Sequence, residues 1–132
     1  MKPELCTFLL CDQVRVVRGK YNFEGIFFRL KALTYPCFHK CHLMVGWYGD
    51  EGDHVMDVKF LSPDGNKLLL RLPFHTFRLT GEKPYSNTVV RAELPLGGPG
   101  RYWFEILLDG KSRGYFPLFV ETVPGGAKMP AQ

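Results

Sequence analysis

No stretch of this 132-residue chain approaches the ~20 consecutive apolar residues that a membrane-spanning helix requires. Nor does any window repeat its apolar residues at helical spacing, so no amphipathic helix is expected. The first eleven residues carry one lysine, an early proline and a short apolar run, without the small-residue cleavage site of a secretion signal. Cysteine is scarce, at four residues, and no two stand in a Cys-x-x-Cys pair. Gly-x-Ser-x-Gly, phosphate-loop and dinucleotide fingerprints are absent. These absences set the first expectations: a cytoplasmic protein with reduced thiols, no membrane segment, no cofactor and no enzymatic motif.

Aromatic residues, in contrast, are plentiful: 11 Phe, 6 Tyr and 2 Trp. Such side chains fit a pleated, half-buried surface. The 14 Gly and 10 Pro supply turns between strands. The formal charge is +4, and all of the excess lies in residues 1–48, which hold seven Lys or Arg against three Asp or Glu. Cations spread along strands protect edges from stray pairing. No RNA- or DNA-binding motif accompanies them, so nucleic acid is not the expected partner.

The closing segment, residues 97–121, organises the reading. Gly97-Gly98-Pro99-Gly100 breaks any regular element. Tyr102, Phe104, Ile106 and Leu108 then alternate onto one face. Asp109-Gly110 predicts a tight hairpin, because glycine accepts the positive φ that such a turn needs. Residues 115–120 return as its second strand. Upstream, strands are predicted over 5–17, 21–30, 41–48, 67–72 and 88–96, with another carrying Met56, Val58 and Phe60 on its buried side. Residues 73–87 are ambiguous. The sum is a single antiparallel β-sandwich of about seven to nine strands over residues 1–123, followed by a tail at 124–132.

Leu9-Leu10-Cys11-Asp12-Gln13-Val14-Arg15, then Gly19-Lys20, Gly25-Ile26-Phe27, Pro36 and the final Pro99-Gly100-x-Tyr102-x-Phe104 resemble an uncharacterised, small all-β bacterial domain family of unknown function. The closing hairpin is similar to the last strands of immunoglobulin-like sandwiches. The resemblance therefore implies an immunoglobulin-like fold, and it implies no activity.

The residues offer three candidate chemistries. Cys37, His39, Cys41 and His42 offer zinc ligands. On an extended strand, however, successive same-side residues stand nearly 7 Å apart, too far to share one ion (about 2.3 Å per Zn–S bond). No metal is expected, and a small metal-dependent or catalytic domain built on residues 37–42 is the alternative reading. Asp50, Glu51, Asp53, His54 and Asp57 sit where a solvated turn is predicted. The third candidate is a surface: Trp103, Leu107, Tyr115 and Phe119, with Met44 and Tyr48, fall opposite the inferred core. Trp and Tyr are typical interface anchors, so the expectation is a non-catalytic binding module. Its partner would be a second copy or an unidentified protein, docked through one sheet face. A far-ultraviolet circular dichroism spectrum is expected to show strand; a helix-dominated spectrum would overturn the reading.

Overall fold

The structure, a computed structural model, describes residues 3–124. Apart from Pro124, the tail at 124–132 lies outside these. Ten strands run through the described residues: β1 (Glu4–Val17), β2 (Lys20–Phe27), β3 (Arg29–Ala32), β4 (Cys37–Tyr48), β5 (Gly52–Leu61), β6 (Leu68–Arg71), β7 (His75–Leu79), β8 (Tyr85–Leu96), β9 (Gly100–Leu108) and β10 (Lys111–Thr122). They form two sheets. One has four strands in the order β2-β1-β4-β8, the other six, in the order β3-β10-β9-β5-β6 with β7 also on β5. No helix among the described residues is long and apolar enough to cross a membrane.

The strand count exceeds the seven to nine expected, for two reasons. What reads as one strand over 21–30 divides at Phe28, and β3 crosses to the other sheet to pair in parallel with β10. The antiparallel expectation therefore fails at this one pair. The ambiguous residues 73–87 supply β7 and the start of β8, so they extend a sheet edge. β4 also begins at Cys37, four residues earlier than expected.

Alternation brings one face of each sheet into the core. Leu10, Leu43, Val45, Phe60, Phe104, Ile106 and Leu118 are among the side chains that lose essentially all contact with water, roughly 1.5–3 kcal/mol apiece for groups of this size. Phe8 of the four-stranded sheet stacks on Phe116 at 4.6 Å and tilts against Phe104 at 5.5 Å, joining the layers. Buried Trp47 donates its indole N–H to Met56 Sδ (3.2 Å) and stacks on Phe77. The β9–β10 hairpin turns as its sequence predicts, with positive φ at Asp109 and Gly110 and Leu108 opposite Lys111.

Tyr102 closes the other end of β9. Its hydroxyl accepts hydrogen bonds from Gly97 N and Gly98 N (3.2 Å each) and donates to Gly98 O (2.6 Å). The glycine-rich turn is thus tied to the strand that follows it. Tyr102→Phe is expected to cost about 1–2 kcal/mol, since part-buried backbone groups lose their partner; urea denaturation with an unchanged midpoint would contradict this.

Candidate interaction surface

Strand register arranges the outer face of the six-stranded sheet in rows. Arg29 on β3, Phe119 on β10 and Arg101 on β9 are direct neighbours across three strands. The Arg29 guanidinium lies 5.2 Å from the Phe119 ring centre, and that of Arg101 lies 5.3 Å from it and 5.8 Å from Trp103. Arg29 also pairs with Glu121. The next row is Pro117, Trp103 and Leu61, and the one after it Tyr115, Glu105 and Lys59. Tyr115 donates its hydroxyl to Glu105, and that bond, with the carboxylate charge, holds the phenol above its ordinary range. The row beyond begins at Leu107, opposite Asp57, which Arg71 holds at 2.8 Å.

Of the six residues expected to form one patch, this face unites four. Trp103 and Phe119 are half-buried and Tyr115 is 56% exposed, whereas Leu107 keeps only 7% of its surface. Met44 and Tyr48 lie on β4, on the outer side of the other sheet. They do not join the Trp103 face, because the two outer faces look away from each other. Met44 is itself buried (9% exposed), with Leu9 and Val89 as its strand neighbours. Tyr48 stands opposite Tyr85, both about half exposed. Alternation identifies the side of a sheet but not what neighbouring side chains cover. Arg29 and Arg101 were missed in the sequence. Arg101 was within reach, two residues before Trp103 on the same strand face. Arg29 was not, because only the crossing of β3 places it beside Phe119.

Residues 37–42 are the first half of β4, paired in register with β8, and of the six only Cys41 is buried. Cys37, His39 and Cys41 face Leu96, Leu94 and Ala92 of β8 in register. His39 packs edge-on against Phe27 (5.4 Å) and lies 3.6 Å from Asp12, while His42 Nδ1 lies 3.3 Å from Asp12 O. Burial, then the nearby Cys11 and Asp12, push the Cys41 thiol up to about 12, and burial raises Cys11 as well. Thiols so raised are protonated at neutral pH, hence poor nucleophiles and poor ligands. Among the described residues no three His, Cys, Asp or Glu side chains gather as a metal ion would need.

The acidic stretch at 50–57 is not the exposed turn expected of it, because β5 already begins at Gly52. Its carboxylates diverge to separate partners. Asp53 takes a bidentate pair from Arg78 (2.6 and 3.2 Å), whose hydrogen bond holds it below the usual carboxylate range. Asp109 in the hairpin turn lies 2.8 Å from His54 Nδ1 and accepts from Val55 N (2.9 Å). Burial would raise the Asp109 carboxyl, yet these two bonds outweigh it and hold it low. His54 thus staples the turn to β5.

Residues 6–121 match a family of unknown function, DUF6941. The chain belongs to that family. No curated protein matches the chain. Among solved structures, a chain of Pseudomonas fluorescens alkylpurine DNA glycosylase AlkC, bound to DNA containing an abasic site analog, is similar with a TM-score of 0.53 at 11% identity. The match covers 91% of this chain and 30% of that one, and at such identity it speaks for the fold alone.

The thiol environments lead to a labelling prediction. Exposed Cys6 is expected to react with a thiol reagent in the native protein, and Cys11 and Cys41 only after unfolding. Rapid native labelling of Cys41, located by peptide mass, would restore residues 37–42 as a reactive site.

Proposed function

We propose that this DUF6941 domain is a non-catalytic binding module that offers the outer face of its six-stranded sheet to a protein partner. The observation that carries the reading is the row Arg29, Phe119, Arg101 with Trp103 beside it. A guanidinium laid along an aromatic ring is pre-oriented and weakly hydrated, so it loses little freedom on meeting a carboxylate. Arg, Trp and Tyr are also the residues that carry most interface energy. The face holds Arg29, Lys31, Lys59, Arg71, Arg78 and Arg101 against Asp53, Asp57, Glu105 and Glu121, six cations to four anions, which favours an acidic surface on the partner. The bond from Tyr102 back to the Gly97–Gly98 backbone supports an immunoglobulin-like reading of the sandwich, in which a tyrosine corner is a recurring feature. Self-association, the other expectation from the sequence, has a better-defined surface in the four-stranded sheet.

The test is affinity capture from the source cells with wild type, Arg101→Glu and Trp103→Glu, each checked for fold by circular dichroism. A protein retained by wild type and lost with both variants is the expected result. Identical retention by all three would overturn the reading.

A further inference from the structure

β2 is an edge strand: in the four-stranded sheet its one neighbour is β1. β1 in turn makes its last pairing with β4 at Cys11↔His42. Beyond that point residues 13–17 and 20–24 pair, among the described residues, only with each other, a two-stranded ribbon around Arg18-Gly19. Register is unshifted from Leu10↔Phe27 to Val17↔Lys20, so Val14, Val16, Tyr21 and Phe23 share one side. Tyr21 and Phe23 stack at 5.9 Å, and Val16 and Tyr21 remain 64% and 48% exposed. Arg15 and Glu24 occupy the opposite side and form an ion pair at 2.5 Å. An isolated two-stranded ribbon is marginal in water, and this one has an open edge and an uncovered apolar side.

The sequence of that edge is self-complementary. Arg18 and Gly19 both have positive φ, the form of a two-residue hairpin turn, in which the flanking Val17 and Lys20 exchange hydrogen bonds. The N–H and C=O groups of Lys20, Asn22 and Glu24 therefore point to β1, and those of Tyr21 and Phe23 point to the open edge. A second β2 can pair there only with its own Tyr21 and Phe23. Centred on Asn22, antiparallel pairing sets Tyr21 opposite Phe23 of the other copy, twice, with both backbone bonds made at each pair. It also sets Lys20 opposite Glu24, twice, on the other side, next to Arg15. Shifting the centre to Phe23 would oppose Lys20 to Ile26 and Tyr21 to Gly25. Shifting it to Tyr21 would run Phe23 into the Gly19 turn.

We infer that two copies of this chain join edge to edge through β2 about a two-fold axis at Asn22, making one continuous eight-stranded sheet. Such an isologous contact closes on itself, because each copy uses its single β2 edge. It also resolves the edge hazard, since pairing satisfies the open backbone groups and brings the two apolar sides together. A ribbon contact of this length is smaller than a standard interface, so its dissociation constant is expected in the micromolar range, on the order of 1–100 µM.

The experiment uses multi-angle light scattering and native mass spectrometry on wild type, Lys20→Glu and Glu24→Lys at about 100 µM, with circular dichroism to confirm folding. Wild type is expected to be dimeric. Each variant alone sets like charges across the two-fold and is expected to weaken the dimer at least tenfold. An equimolar mixture of the two variants restores both opposite-charge pairs, so heterodimer is expected at wild-type strength. A monomeric wild type, undiminished single variants, or a mixture that stays monomeric would each overturn the inference. Trp103→Glu serves as the control for the partner-binding face: it is expected to leave the dimer intact, and its loss would move the contact to the six-stranded sheet.

Discussion

A continuous line of aromatic rings joins the two layers, and the remaining packing is arranged about it. Phe116 meets Phe8, Phe8 meets Phe104, Phe104 meets Phe60 at 4.9 Å, and Phe60 stacks on Tyr102 at 5.3 Å. Only Phe8 belongs to the four-stranded sheet; the others come from β5, β9 and β10. Rings of this size fix the separation of the sheets and favour tilted or offset contacts worth about 0.5–1.5 kcal/mol each beyond their burial. At the end of the line Tyr102 passes the constraint to the backbone of the glycine-rich turn.

That inner constraint decides what the outer face presents. Once Phe104 and Phe116 point inward, strand alternation commits Trp103, Glu105, Tyr115 and Pro117 to the opposite side. The stacked guanidiniums follow from register alone, because Arg29, Phe119 and Arg101 are opposed residues on adjacent strands. A one-residue slip of β10 would turn Phe116, Leu118 and Val120 outward and Glu121 inward, which is why the face is as well specified as the core.

The closing hairpin was legible because its signals are local: alternating side chains, then Asp-Gly where positive φ is required. The strands through Leu43, Val58 and Val90 were legible for the same reason. What escaped was long-range. Phe28-Arg29-Leu30 continues the pattern of β2 with no break in composition, so nothing nearby announces the change of sheet. The burial of Met44 and Leu107 depends on neighbours from other strands. The separation of Met44 and Tyr48 from Trp103 depends on which strands share a sheet. Residues 37–42 looked like a ligand cluster because Cys and His are uncommon, yet the β8 register holds them extended, with same-side residues spaced along the strand.

The crossing of β3 has a mechanical consequence for the whole domain. β1, β2, β4 and β8 make one sheet, and β3, β5, β6, β7, β9 and β10 the other, so the two are interleaved along the chain. A backbone cut anywhere from the segment after β3 to the segment before β8 leaves strands of both sheets in both fragments. Neither sheet can therefore be excised as a self-sufficient piece. β3 acts as a clasp, with Phe119 N bonded to Phe28 O and Val123 N to Ala32 O, holding the far end of the described chain to its early part. Unfolding is accordingly expected to be one cooperative transition, set by how the strands are threaded and not by any single strong bond.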